Sequence, residues 1–174
     1  MLFRSCLPKD VRAMLYRAKE LDLELPVLEA ILPSNELHIE RAIDLVLSTG
    51  KRRVAVLGLS FKADTDDLRE SPMLELVKRL LGEGCQVRIY DPQVELSTIV
   101  GANKQFVEEQ IPHIGALIVS SLGAALQDSD VVVVSREARE FKELRDLLRP
   151  DHTVIQLARS GDLEGTPARR IVLC

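Results

Sequence analysis

Apolar positions along the chain predict helices in its first part and alternating strands and helices after it. Within residues 1–50 the apolar side chains recur at three- and four-residue spacing, which is typical of amphipathic helices. The clearest helix is predicted over 34–49, where Ser34 or Asn35 caps the start and Gly50 ends it.

This helix has one apolar stripe, formed by Ile39, Ala42, Ile43, Val46 and Leu47. A helix that precedes the first strand of an α/β unit has no obvious layer of its own. Two interpretations stay open at this point. The stripe packs on its own domain, or it is buried between domains or against a second copy of the chain.

From residue 51 the hydrophobic pattern alternates between strands and helices. Strands are predicted at 54–57, 86–90, 117–120, 131–135 and 153–157, and helices at 73–81 and 137–149. The unbroken valines at 131–134 are typical of a strand covered on both faces, as in parallel sheets. Successive βα units with right-handed crossovers predict an α/β fold with a doubly wound, mostly parallel sheet.

Composition and charge exclude several classes of protein. The net charge of −4 and the absence of a basic block argue against a general nucleic-acid surface. No apolar run approaches membrane-spanning length, and the first residues do not resemble a signal peptide. The three cysteines, Cys6, Cys85 and Cys174, are too widely spaced for a metal knuckle or a disulfide framework. A reducing cytoplasm is therefore the predicted location, and no metal site is predicted.

The most informative stretch, 54–72, is an apolar strand that leads through a charged loop into a helix start at Ser71-Pro72. Such a turn is either a phosphate site or an ordinary βα turn, and the pattern favours neither. Its Gly58-x-Ser60-x-x-Ala63 only weakly matches a dinucleotide fingerprint, because Ser60 replaces the glycine that lets the backbone approach a pyrophosphate. Asp91, where a ribose-binding acid would lie, follows at an unusual distance, so an independent dinucleotide site is not predicted.

Cys6 lies just before the first predicted helix, beside Pro8 and Lys9. Backbone N–H groups, the helix dipole and nearby positive charge favour a thiolate there. A buried, unreactive cysteine is the alternative.

Two motifs resemble those of the nucleotide-sugar 6-dehydrogenases, the UDP-glucose and GDP-mannose dehydrogenases. GLSFKADTDDLRESP at 58–72 is similar to the loop that opens their C-terminal domain, and SCLPKDVRA at 5–13 resembles their catalytic cysteine motif. The two motifs occur in the family's order, and the resemblance covers essentially the whole chain. The segment GANKQFVEEQIPHI at 101–114 looks like the GDP-mannose branch, which favours a GDP-sugar over a UDP-sugar.

The resemblance implies specific roles. Cys6 matches the nucleophile that attacks the C6 aldehyde, and Asp10 matches an acid thought to assist proton movement. Phe61 and Lys62 match the pair that contacts the nucleotide-sugar, and Arg69 matches an arginine that reaches NAD, the family's cofactor. It also implies a helical segment over 1–50, with a homodimer through helix 34–49, and a Rossmann-like nucleotide-sugar-binding domain over 51–174.

The chain also departs from the family pattern. No glycine-rich NAD fingerprint is present, Phe3-Arg4 replace Gly-Gly, Asp64 replaces a small residue, and Gln156 stands where an aspartate often ends a late strand. Two functions follow as expectations. The chain is the nucleotide-sugar-binding portion of an NAD-dependent oxidoreductase acting on a CH–OH donor, catalytic only with a separate NAD domain. Alternatively, it is a standalone binding or dimerisation module with no catalytic role. In both cases this polypeptide alone is predicted to be inactive.

Overall fold

The computed structural model describes residues 8–60, 68, 71–92, 94, 109–136, 141–158 and 163–173. The helices are α1 (Pro8–Glu20), α2 (Pro26–Glu29), α3 (Ile31–Ser48), α4 (Pro72–Gly82), α5 (Ile114–Leu117), α6 (Leu122–Leu126) and α7 (Leu144–Leu147). The strands are β1 (Arg53–Leu57), β2 (Gln86–Tyr90), β3 (Val131–Val134), β4 (Thr153–Gln156) and β5 (Arg169–Val172).

The described strands form one sheet of five strands in the order β2-β1-β3-β4-β5, and every neighbouring pair is parallel. Alternate residues of each strand face opposite sides of the sheet. On one side Val54 and Val56 belong to a core that includes residues of α3 and α4. On the other side Ala55 and Leu57 belong to a core with residues of α6 and α7. Helices therefore cover both faces, and the predicted α/β, doubly wound parallel sheet is confirmed.

Helix α3 uses its apolar stripe within its own domain. Ile39, Ala42, Ile43 and Val46 are buried in the same core as the α4 residues. An ion pair also joins Arg79 of α4 to Glu36 of α3 at 2.8 Å. Of the two interpretations left open by the sequence, packing on its own domain is therefore the one observed for this stripe. The division at residue 50 stays a prediction.

The structure differs from the predicted elements in four places. Helix α3 begins at Ile31 with Ala30 at its N-cap position, so Ser34 and Asn35 lie inside the helix and the cap predicted for them is wrong. The run 117–120 does not form a strand, because α5 ends at Leu117 and Ile118 makes a single parallel bridge to Ile89. Within the described part of 137–149, regular α-helix is limited to α7. Strand β5, an edge strand that begins with two exposed arginines, was not predicted from the sequence. Among the described residues, no helix combines the length and apolar character needed to cross a bilayer.

His152, which directly precedes β4, is a buried histidine. Its side chain is fully buried and its Nδ1 accepts a hydrogen bond from the Arg149 backbone N–H at 3.1 Å. Burial first, and then the Arg149 charge, lower the pKa of His152 below 6.5, while Asp151 and the Ser129 carbonyl partly oppose the shift. The folded protein therefore keeps this imidazole neutral at pH values where the unfolded chain protonates it.

We expect the free energy of unfolding to fall as the pH drops below about 6.5, because the unfolded state then binds a proton that the folded state does not. In His152→Asn the amide oxygen replaces the Nδ1 acceptor, and the decrease between pH 7.5 and 5.5 should be smaller than in the wild type. Urea denaturation at the two pH values measures this difference. His38, whose pKa is also lowered, is present in both proteins and does not contribute to it. Identical decreases in the two proteins would contradict the assignment.

Candidate functional site

The strand order reverses between β1 and β3. Strand β2 lies on one side of β1, and the chain then crosses back to form β3 on the other side. In open parallel sheets, ligands bind outside the carboxyl ends of the strands where the order reverses in this way. The segments that begin at Gly58 and Ser135 leave the sheet at this position.

Gly58 allows the chains leaving β1 and β3 to approach closely. Its φ of +88° is in the left-handed region, and its N–H donates to the Tyr90 carbonyl at 2.9 Å. A Cβ on residue 58 would come within 2.3 Å of Ser135 Oγ. That hydroxyl is held in place, because it donates to the Leu57 carbonyl at 3.0 Å. Only glycine fits here without moving its neighbours.

Asp91, directly after β2, binds the backbone that follows β1. Its Oδ2 accepts hydrogen bonds from Leu59 N at 2.7 Å, Ser60 N at 2.8 Å and Ser60 Oγ at 2.9 Å. The residue is buried, so these charge-assisted bonds lie away from water. The donors that would face a pyrophosphate in a dinucleotide-binding loop are thus taken by the protein's own carboxylate. This arrangement supports the sequence-based argument against an independent dinucleotide site.

The start of α4 also uses its backbone donors internally. Ser71 Oγ accepts from Met73 N at 3.3 Å and donates to the Leu59 carbonyl at 3.0 Å. The next two amides, of Leu74 and Glu75, donate to the Ser71 carbonyl at 3.1 and 3.3 Å. Pro72 has no N–H to offer. The predicted N-cap is confirmed, and of the two interpretations of this turn the described backbone favours the ordinary βα turn over an amide-built phosphate site.

Arg136 is a buried charged residue of this site that was not predicted from the sequence. It follows Ser135 at the end of β3 and is 7% exposed. Its Nη2 donates to Asp91 Oδ1 at 3.3 Å, and its guanidinium carbon lies 5.7 Å from the centre of the Phe141 ring. Within the described part of the chain, Nε and Nη1 have no hydrogen-bond partner. The available signal was a basic residue two positions after a fully buried strand, at the edge of the sheet where ligands bind.

The site residues predicted from the sequence are only partly described. Asp10 is exposed in the first turn of α1, a helix that packs on α2 and α3. Cys6, Phe61, Lys62 and Arg69 lie outside the described residues. Gln156 ends β4 and is buried, with its carbonyl accepting from Leu173 N at 2.9 Å. In the part of the chain that the structure describes, no group of three or more His, Cys, Asp or Glu side chains is placed to hold a metal ion.

Comparison with known proteins identifies the family. A family model described as "UDP-glucose/GDP-mannose dehydrogenase family, UDP binding domain" matches residues 55–159. The GDP-mannose 6-dehydrogenase of Pseudomonas aeruginosa is 49% identical over 140 residues, which are 80% of this chain and 32% of that enzyme. The UDP-glucose 6-dehydrogenase of Rickettsia felis is 32% identical over 146 residues, which are 80% of this chain and 30% of that enzyme.

Solved structures agree with the sequence comparison. A 1.55 Å crystal structure of a ternary complex of the Pseudomonas aeruginosa GDP-mannose dehydrogenase superposes with a TM-score of 0.81 at 42% identity, covering 95% of this chain and 38% of the other. The chain thus spans about a third of the length of the curated relatives it matches. It belongs to the UDP-glucose/GDP-mannose dehydrogenase family, of which it contains the C-terminal, UDP-binding domain.

Proposed function

We propose that the chain provides the nucleotide-sugar-binding part of a nucleotide-sugar 6-dehydrogenase, and that its ligand is a GDP-linked hexose such as GDP-mannose. The observation that carries the proposal is the reversal of strand order between β1 and β3, which lies within the segment matched by the family's UDP-binding domain. The choice of GDP-mannose is supported by identity, which is 49% to a GDP-mannose 6-dehydrogenase and 32% to a UDP-glucose 6-dehydrogenase.

In this proposal side chains, rather than backbone amides, recognise the nucleotide. The described N–H groups after β1 and in the first turn of α4 already have internal acceptors. Lys62 then supplies a positive charge to the phosphates, and Phe61 contacts the nucleotide-sugar beside it. A lysine acts there as a compact point charge, so its contribution depends on the charge more than on shape.

The remaining predicted residues act on the reacting end of the sugar. We propose Cys6 as the nucleophile, Asp10 as the group that assists proton movement, and Arg69 as a contact to NAD held by another domain. NAD itself does not fit the turn after β1, because Asp91 takes the amides of Leu59 and Ser60. No reaction step is therefore assigned to NAD within this domain.

Titration calorimetry with GDP-mannose tests this function. We expect the chain to bind GDP-mannose more tightly than UDP-glucose, and Lys62→Met to weaken binding about tenfold or more because a desolvated phosphate loses its counter-charge. Lys78→Met is the matched control, since Lys78 lies on α4 and donates to Gln110 at 3.0 Å. Absence of heat with both nucleotide-sugars would contradict the proposal.

The same polypeptide is expected to give no NAD reduction with GDP-mannose. The reason is that its β1 turn lacks free donors for a dinucleotide, as described above. Absorbance at the wavelength of NADH measures this directly. Turnover by the purified 174-residue chain alone would contradict the expectation.

We also propose that the chain forms a homodimer, but through a surface other than the apolar stripe of α3. That stripe is buried within the domain, whereas large apolar side chains are exposed on α1, α2, the turn between them and the start of α3. These residues are Met14, Tyr16, Leu21, Leu23, Val27 and Leu37. We propose that this surface, and not the buried stripe of 34–49, makes the contact between copies. Light scattering that gives the mass of a single chain at high concentration would contradict it.

A further inference from the structure

Arg136 makes a longer ion pair, and leaves more of its nitrogens without a partner among the described residues, than expected for a buried arginine, and its ion pair is longer than those of two exposed arginines on the same sheet. Arg53 and Arg88 reach aspartates at 2.7 Å in solvent-exposed positions. Arg136 is buried, yet it meets Asp91 at 3.3 Å, and two of its nitrogens have no partner within the described residues. A buried guanidinium with unused donors is unfavourable for stability. Its presence therefore calls for an explanation other than stability.

Through Asp91, Arg136 is connected to Leu59 and Ser60, the residues directly before the segment that is proposed to bind the ligand. Its partner Asp91 turns Oδ1 toward the guanidinium and Oδ2 toward the N–H groups of Leu59 and Ser60. The side chain also passes Gly58, where a Cβ would lie 3.5 Å from both Arg136 Cγ and Nε. One carboxylate thus connects the end of β3 to the backbone directly preceding Phe61.

We propose that Arg136 is a positioning residue for nucleotide-sugar binding. Its charge holds the Asp91 carboxylate in the orientation that binds Leu59 and Ser60, and these two residues set the direction in which the chain leaves β1 toward Phe61 and Lys62. The inference rests on the proposed function for its ligand. It assigns a role to a residue outside both family motifs.

A pair of amide substitutions tests the connection through Asp91. In Asp91→Asn the amide oxygen can still accept from Leu59 and Ser60, but the amide nitrogen then faces Arg136 Nη2, so that a donor meets a donor. Arg136→Gln in the same chain removes the facing donor, so the two nitrogens no longer oppose each other and no buried charge is left. Each single variant should therefore be impaired, and the double variant should recover. Arg88→Gln, which removes a surface arginine paired with Asp128, is the matched control.

The first measurement is the rate of amide hydrogen exchange at Leu59 and Ser60, which NMR records in the absence of ligand. We expect exchange about tenfold faster in Arg136→Gln and in Asp91→Asn, and within about threefold of the wild type in the double variant. Arg88→Gln should leave both rates unchanged. Unchanged exchange in Arg136→Gln would overturn the proposal.

The second measurement is the affinity for GDP-mannose, under conditions where denaturation curves show every variant to be folded. We expect about a tenfold loss in each single variant and recovery in the double variant. If the losses of affinity multiply in the double variant, Arg136 acts independently of Asp91. If exchange becomes faster while the affinity stays unchanged, the position of Leu59 and Ser60 does not affect ligand binding. Both results overturn the proposal. If the wild type itself binds no nucleotide-sugar, the proposed function fails, while the exchange rates still decide whether Arg136 positions Leu59 and Ser60.

Discussion

Replacing Gly58 with alanine is expected to destabilise the protein by about 2–6 kcal/mol. Two effects add: alanine is strained at the φ of +88°, which costs about 1–3 kcal/mol, and its Cβ would lie 2.3 Å from Ser135 Oγ, a form of overpacking that costs a similar amount. Ser135 cannot turn away without losing its bond to the Leu57 carbonyl. Urea denaturation of the wild type and the variant measures the difference.

Gly82→Ala is the control for this prediction. Gly82 ends helix α4, and nothing lies within 4 Å of the position where its Cβ would be. Alanine has the higher helix propensity, so this variant should be unchanged or stabilised by up to about 1 kcal/mol. A Gly58→Ala protein as stable as Gly82→Ala would show that the chains after β1 and β3 do not approach each other as described.

Asp91→Ala is expected to destabilise the protein by about 3–5 kcal/mol, because it breaks a buried ion pair from one side. Leu59 N, Ser60 N and Ser60 Oγ lose their acceptor. The buried Arg136 loses its counter-charge at the same time. The change should appear as a lower denaturant midpoint, and amide exchange at residues 59 and 60 should become faster.

Asp128→Ala provides the comparison for a surface pair. Asp128 binds Arg88 at 2.7 Å, but its side chain is 54% exposed. Exposed pairs contribute at most about 1 kcal/mol, so this variant should stay within that range of the wild type. Equal losses in the two variants would indicate that Asp91 is not held in a buried network.

Regular patterns in the sequence predicted the framework of the fold, and short or edge segments were harder to predict. Helix α3 was identified because its apolar stripe repeats over a long segment, and β3 because its run consists only of β-branched valines, which favour strands. The apolar run 117–120 was mistaken for a strand, because a short apolar run fits a helix end equally well. Strand β5 was not predicted, because it begins with Arg169 and Arg170 and lacks the apolar pattern of a strand. Charged residues of this kind are typical of a protected sheet edge.

The candidate site could be predicted only as far as local motifs extend. The serine-proline helix start is a local signal, and the structure confirms it. The sequence also contains Gly58, but its left-handed φ and its close approach to Ser135 were not predicted. That the Asp91 carboxylate turns toward residues 59 and 60 depends on a contact across 32 positions of the chain. The pairing of Arg136 with Asp91 spans 45 positions. No periodicity or motif within one segment carries such information.

The internal hydrogen bonding of the β1 turn has a consequence for how ligand preference evolves. A backbone that satisfies its own donors keeps its shape whether or not a nucleotide is bound. If the side chains that follow Ser60 select the ligand, as proposed above, substitutions among them are expected to change which base or sugar is accepted while leaving this backbone unchanged. Within such a family, changes of substrate should follow changes in loop side chains, while the Gly58–Asp91 arrangement stays the same.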